Sequence, residues 1–597
     1  MSQTDLDPGD ASVVTPSTAD GAPDGASDGW VAARLPIALP ALVAVVYGLT
    51  AWQRRWLHED GLINLRVVEN LVAGRGPVYN AGERVEAFTS PVQVAALALG
   101  RIVTFGLVPI ESIVFVVGVV ASATGLYLVM RGSMHLWGLG ERGRIVIPFG
   151  GLIFASIPFA WDFATSGHEG SMGFLWIGLC TFGLARRVRE RHVDLRPPVD
   201  KPRWLLVVIG SGALIRPEFA LYTASFVVVW FVVHRTSAGS KGRALAWMVG
   251  PTVAYQVFRM GYYGLVLPNT ALAKLGGPLG ASEGLYYVGA FVSPLRLWLP
   301  LMAVVVVLVL LLRTARPDQL ALTAALMVPA LLNIAYLVSI GGDYVNGRLL
   351  VVPLLALLAP VGVVDPKLFA TASGHARPVM IGLGVVVLLW ASAAASTMRA
   401  PWKVSSNNFL DAKFDAREVA VRRWTRTAPR HIDDYQRSFL AGPYKTLVSQ
   451  YDAADSDLLV LDDPFNGQTI VLETGEGPAI ASTTIGALGV VSGIDVRIID
   501  RLALADPVAS HLPVTGNTAG HLRKLSNPWV YGRAGIDADP ASAAAIEALG
   551  CGELGQLMDD TTGSMSPARF VTNFFHSPAN TRLSIPADPV DAVDEFC

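Results

Sequence analysis

Between Trp52 and Ser90 the chain reads WQRRWLHEDGLINLRVVENLVAGRGPVYNAGERVEAFTS. An apolar run has just ended, a long series of others follows, and Glu59 and Asp60 stand side by side at the boundary. Leaving water costs a carboxylate roughly 3 kcal/mol or more at membrane depth, so acids at such an edge point to function before they point to packing. The competing reading is helix capping, or an ion pair with Arg54 or Arg55.

Composition supports a membrane setting. The 597 residues are 52% hydrophobic and only 16% charged, with a mean hydropathy of +0.45; soluble chains carry about a quarter charged residues. A net charge of −2 gives nucleic acid no reason to bind. The N-terminal 1–33 reads as a disordered cytoplasmic tail, rich in Asp, Ser, Thr, Gly and Pro. It lacks the basic start of a signal peptide, so the first apolar run is expected to stay as a membrane helix.

A spanning helix needs about 20 apolar residues. Candidate spans are 35–53, 110–130, 145–160, 171–185, 204–216, 219–234, 244–258, 297–313, 320–340, 349–364 and 378–398, about eleven in all. Residues 91–107 are apolar but carry Gln93 and Arg101, and read as a helix lying on the membrane surface. With that choice the basic residues gather on one side, in the loops 131–144, 186–203, 235–243, 314–319 and 365–377. The positive-inside rule then places the N-terminus in the cytoplasm of a multi-pass plasma-membrane protein. The long loop 54–109 and everything after 398 lie outside.

From 399 to 597 the composition turns polar, and short β-branched runs appear: DLLVLDD (457–463), QTIVLET (468–474) and IDVRIID (494–500). With helical stretches at 411–426 and 540–550 they make an α/β domain on the outer face, following the transmembrane domain 34–398. Cys180 sits in an apolar run. Cys551 and Cys597 lie in the outer domain, either as a disulfide, which an oxidising compartment permits, or as two thiols.

The outer loops collect charges of both signs at nearly every helix end. They hold Asp162 and Glu169 in WDFATSGHEG; Arg216 and Glu218 in IRPEF; Arg259, Tyr262 and Lys274 in FRMGYYGLVLPNTALAK; and Asp343 and Arg348 in GGDYVNGR. A polar chamber of this kind suits acid/base chemistry on an anionic substrate. Arg216, Arg259, Lys274 and Arg348 suggest phosphate at headgroup depth; the bland alternative pairs Arg216 with Glu218 and Arg348 with Asp343. A divalent cation such as magnesium or calcium is a possible cofactor for the acidic pair. His168, His511 and His521 look isolated and structural. The G-x-G-x-x-G string at 138–143 lies in a loop between spans, and the G-x-S-x-G around Ser27 in the tail, so neither marks a site.

One span, a long outer loop opening on an acidic pair, a surface helix and many further spans resemble the GT-C class of polyprenyl-phosphate-dependent glycosyltransferases. The stretch 52–90, WDFATSGHEG, IRPEFAL, YQVFRMGYYGLVLPNTALAK, GGDYVNGRLLVVPLLALLAPV and LGVVSGIDVRIIDRLALADPVASH are similar to the terminal β-(1→2)-arabinofuranosyltransferases of mycobacteria and corynebacteria, from about residue 50 to 597. The resemblance implies a decaprenyl-phosphoryl-arabinofuranose donor in the membrane lipid and an arabinan acceptor (arabinogalactan or lipoarabinomannan), with net retention of configuration. It places the class's acidic pair on Glu59 and Asp60, with Asp60 the essential acid because the class often carries Asp-Asp. It also favours a Cys551–Cys597 bridge. Two other readings are a mannosyltransferase on the same scaffold and a lipid or solute transporter, which would place its charges near the bilayer midplane.

Overall fold

The computed structural model describes residues 26–139, 146–193, 202–234, 237–277, 280–367, 376–399, 415–451, 457–463, 468–475, 477–516 and 520–597. Most of the N-terminal tail, most of the string at 138–143 and the basic residues Arg142, Arg144, Arg196 and Lys201 lie outside these residues.

The first two thirds are helical. Ile110–Trp137 and Pro317–Ser339 are long and apolar enough to cross a membrane by length and composition. Around them run shorter or broken apolar helices, among them Arg203–Gly210, Ala220–Val233, Trp298–Leu312 and Val351–Leu358. The breaks follow local chemistry. Pro158 opens a new helix after the turn at Ser156, and Arg216-Pro217 interrupts 203–233, because the residue before proline is driven to an extended conformation. Two helices depart from the expected spans: Ala238–Tyr263 runs through Pro251 well beyond 244–258, and Ala281–Val292 lies between the spans expected at 244–258 and 297–313. Leu42, Val45, Val46 and Leu49 in the first helix, Met302, Val305 and Val309, and Ile381, Leu388 and Leu389 all point outward, an apolar surface on several helices at once.

The C-terminal region carries a four-stranded sheet: β1 Leu458–Asp463, β2 Gln468–Glu473, β3 Ala479–Ser482 and β4 Arg497–Asp500, ordered β2-β1-β3-β4. β2 is antiparallel to β1, while β1, β3 and β4 run parallel. β3 was not legible as a strand; its four residues are all buried and show no alternation. Cys551 and Cys597 are bonded, tying the last helix to the segment 46 residues earlier.

The loop 54–90 clamps the two regions together. Arg66, fully buried, donates to the carbonyls of Gly489 (2.5 Å), Gly493 (2.6 Å), Val496 (2.7 Å) and Tyr79 (2.8 Å). The Asn80 side chain pairs with both backbone groups of Ile498, donating to the carbonyl at 2.9 Å and accepting from the amide at 3.1 Å. It thereby continues the sheet past its edge strand β4. Glu83 receives Arg497 and Arg533, each at 2.7 Å. On the other flank Arg54 pairs with Asp162 at 2.9 Å, and Tyr435 donates to the carbonyl of Leu57 at 3.0 Å. These are satisfied buried polar groups; removing one partner leaves the other uncompensated.

Candidate active site

His58 caps the helix Glu59–Val72: its Nδ1 accepts from the Asp60 amide at 3.1 Å. Glu59 and Asp60 therefore sit in the first turn, where the helix dipole favours negative charge. Gly61 allows this turn to lie directly on the 166–168 turn, because a Cβ there would collide with the Ser166 carbonyl oxygen. The fit is locked by the His58 amide donating to Ser166 O (2.9 Å) and by Asn64 and Gln93 donating to Gly167 O (3.1 and 2.7 Å).

The two acids then part company. Glu59 Oε1 accepts the amides of Gly486 (2.6 Å) and Ala487 (3.2 Å) at the start of the helix Ile485–Val491. Gly486 is needed there, since a Cβ would strike the Glu59 carbonyl. Burial and the neighbouring Asp60 charge push the Glu59 carboxyl up to about 8. Asp60 Oδ2 accepts from Tyr344 Oη at 2.6 Å and from Arg348 Nη1 at 3.1 Å, with His168 Nε2 at 3.9 Å. Burial would raise its pKa, but His168, His58 and the Arg348 guanidinium outweigh it and hold the carboxyl well below its usual range. One acid stays protonated and the other ionised, the separation of roles that acid/base sites show.

Behind Asp60 runs a chain of alternating charge. Arg348 reaches Asp343 at 3.8 Å and Glu169 at 4.0 Å; Glu169 also pairs with Arg216, which holds Glu218 at 2.5 Å. Lys274 enters the same chamber: its ammonium is lowered by loss of solvent and by Arg348, and it feels Asp343 and Asp60. It nevertheless remains accessible, and among the described residues it forms no ion pair.

Other residues expected at the site lie elsewhere. Arg259 is tied to Glu86 at 2.6 and 3.1 Å and caught by Gln256, while Tyr262 stacks on Phe258 with ring centroids 5.0 Å apart. Neither meets Asp60 in a contact among the described residues. Asp162 braces Arg54 and Arg417 rather than the chamber.

Beside Asp60 opens a cavity of about 280 Å³. Its walls come from both regions: His58, Glu59, Asp60, Ile63 and Tyr344 from the helical part; Arg423, Trp424, Phe439 and Leu440 from the segment after it; Thr483, Thr484, Asp500, Leu502 and His521 from the sheet domain. Thr483 and Asp500 directly follow or end β3 and β4, so the cavity sits at the carboxyl ends of parallel strands, where open α/β sheets bind ligands. His58, Trp424 and His521 had no recognisable sequence signal, since only long-range folding brings them to Asp60.

A magnesium or calcium site needs several hard oxygen ligands. The donor atoms that gather among the described residues are one from Asp60 and one each from His58 and His168, within 4.8 Å of one another. Two imidazoles and one carboxylate do not fit either ion.

Residues 471–595 match the AftB family C-terminal domain. The chain is 33% identical to the terminal β-(1→2)-arabinofuranosyltransferase of Mycobacterium tuberculosis, over 92% of this chain and 95% of that one. It is 28% identical to the protein of the same name from Corynebacterium glutamicum, over 97% and 91% of the two chains. Among solved structures it is similar to ArnT from Cupriavidus metallidurans bound to undecaprenyl phosphate, with a TM-score of 0.41 and 12% identity over 94% of this chain and 90% of that one. With an ionised carboxylate beside a cavity that both regions build, and with a relative at 33% identity spanning nearly the whole chain, this protein belongs to the terminal β-(1→2)-arabinofuranosyltransferase family.

Proposed function

We propose that this enzyme moves arabinofuranose from a polyprenyl-phosphate donor, decaprenyl-phosphoryl-arabinofuranose, onto the ends of cell-wall arabinan. It works on the outer face of the plasma membrane, on a GT-C scaffold of about eleven spans with the N-terminus inside. The outward apolar faces of several helices support the membrane setting. The observation that carries the site assignment is Asp60, a half-buried carboxylate that pairs with Arg348 and lines a cavity of about 280 Å³.

The donor phosphate is assigned to the cations. Lys274, accessible and without an ion pair among the described residues, supplies a point charge, and Arg348 a second, shared with Asp60. The transferred sugar then lies against Asp60. A carboxyl held below its usual range is a poor base but an effective partner for positive charge developing at the anomeric carbon. The acceptor glycan occupies the cavity at the strand ends, where Trp424 and Phe439 offer faces for furanose rings and Thr483 and Thr484 offer hydroxyls.

The test is transfer by the purified protein in lipid, with arabinofuranosyl and mannosyl polyprenyl phosphates offered in parallel to an arabinan oligosaccharide. A new terminal β-(1→2) arabinofuranose is the expected product. Turnover of the mannosyl donor alone, or lipid movement across vesicles with no glycosyl transfer, overturns the reading.

A further inference from the structure

Two imidazoles flank Asp60, and the roles assigned above leave the Nε2 atom of each unexplained. His58 and His168 are buried (1% and 4% exposed), and their rings lie 4.7 Å apart. The Nε2 atom of each is buried and has no hydrogen-bond partner among the described residues. A polar atom in that state is costly unless a ligand satisfies it.

The local backbone fixes the proton on each ring. His58 Nδ1 accepts the Asp60 amide, so the proton of the neutral ring must sit on Nε2. His168 Nδ1 lies 3.1 Å from Ser166 Oγ, and that oxygen also accepts the His168 amide at 3.4 Å. The hydroxyl hydrogen is then free to point at Nδ1, which again leaves the proton on Nε2. Burial lowers both imidazoles, His58 to about 3, and in these tautomers each ring presents an N–H at Nε2. A metal at His58 Nε2 would need the opposite tautomer and would break the helix cap.

Size agrees with charge. One nitrogen of each ring and one Asp60 oxygen lie within 4.8 Å of one another. With His168 Nε2 and Asp60 Oδ2 3.9 Å apart, an oxygen seated among the three atoms is within hydrogen-bond reach of each. Two N–H donors and one carboxylate acceptor match a single neutral hydroxyl, whose oxygen accepts twice and whose hydrogen is given to Asp60.

We propose that His58, His168 and Asp60 form a receptor for one sugar hydroxyl, positioned beside the reacting carbon. The proposal rests on the glycosyl-transfer reading above. The hydroxyl belongs either to the transferred pentose or to the acceptor's terminal residue, and substrate analogues separate these sources.

The test pairs variants with deoxy sugars. His58→Asn keeps a side-chain oxygen to cap the helix but loses the Nε2 donor. His168→Asn keeps a group near Ser166 and loses its donor, while His168→Gln restores an N–H near the Nε2 position. In lipid, both Asn variants should retain the parent's melting temperature and lose roughly tenfold to a hundredfold in kcat/KM, with His168→Gln recovering much of it. Parent enzyme should lose a similar factor on one deoxy substrate, donor or acceptor, and the Asn variants should lose nothing further on that analogue. Additive losses on every analogue, or Asn variants with parental turnover, overturn the receptor. So does a stoichiometric metal that His58→Asn releases and whose chelation stops turnover. Failure of the parent to transfer arabinofuranose at all would sink the parent reading instead, and is scored separately.

Discussion

Asp60 carries the greatest demand on any single side chain, and its neighbours make the demand explicit. Asp60→Asn removes the charge that Arg348 and Tyr344 hold in place. It should leave folding intact and lower transfer by at least about a hundredfold, measured as initial rate on purified protein. Tyr344→Phe removes one charge-assisted hydrogen bond and nothing of the ring's packing on His521, 4.8 Å away. A loss of about tenfold is expected, carried by kcat. Lys274→Ala should instead raise the apparent KM for the lipid donor by about tenfold or more, with kcat nearly unchanged; an unchanged donor KM would remove Lys274 from the phosphate site. Asp60 was legible in the sequence because an acid just past an apolar run has few reasons to be there. His58 and His168 were not, because a histidine's meaning lies in what surrounds it, and theirs comes from a turn about a hundred residues away in the chain.

At the scale of elements, the loop 54–90 shows why charge alone misleads. Arg66 and Glu83 carry charge as Glu59 does, yet they tie carbonyls and guanidinium groups across the seam between the helical region and the sheet, while Glu86 holds Arg259 within the helical region. Arg259 reads as a phosphate ligand and is spent on Glu86. Two of the three expected strand runs, 457–463 and 468–474, were visible in their β-branched composition; β4 occupies only the end of the third run. The seam was not, because it depends on side chains meeting backbone far along the chain. Its titration has a definite sign. Glu59 is pushed up to about 8, and burial pushes Asp415 and Asp500 to about 7. The folded protein thus holds protons that the unfolded chain would release, so this stability is full at low pH and is lost as pH rises through about 7 to 8. The buried histidines act oppositely, but only below the ordinary histidine range. The melting temperature should therefore fall between about pH 6.5 and about pH 8.5, and a rise over that interval would contradict the burial of these carboxyls.

For the whole molecule, the Cys551–Cys597 bond closes a loop of 46 residues. Constraining the unfolded chain to that extent is worth about 4 kcal/mol in loop-entropy accounting. Replacing both cysteines with serine should lower the denaturation midpoint of the C-terminal region, and mass spectrometry without reductant should find the two joined in the parent. Asn80 has a wider bearing. Because its amide completes hydrogen bonding along β4, the sheet's last strand finds its neighbour in a loop from the opposite end of the polypeptide. A fragment beginning near residue 399 would present that strand bare, an invitation to pair with copies of itself. Anyone expressing the C-terminal region alone should expect oligomers or precipitate, and grafting the segment around Asn80 onto the fragment is the natural remedy.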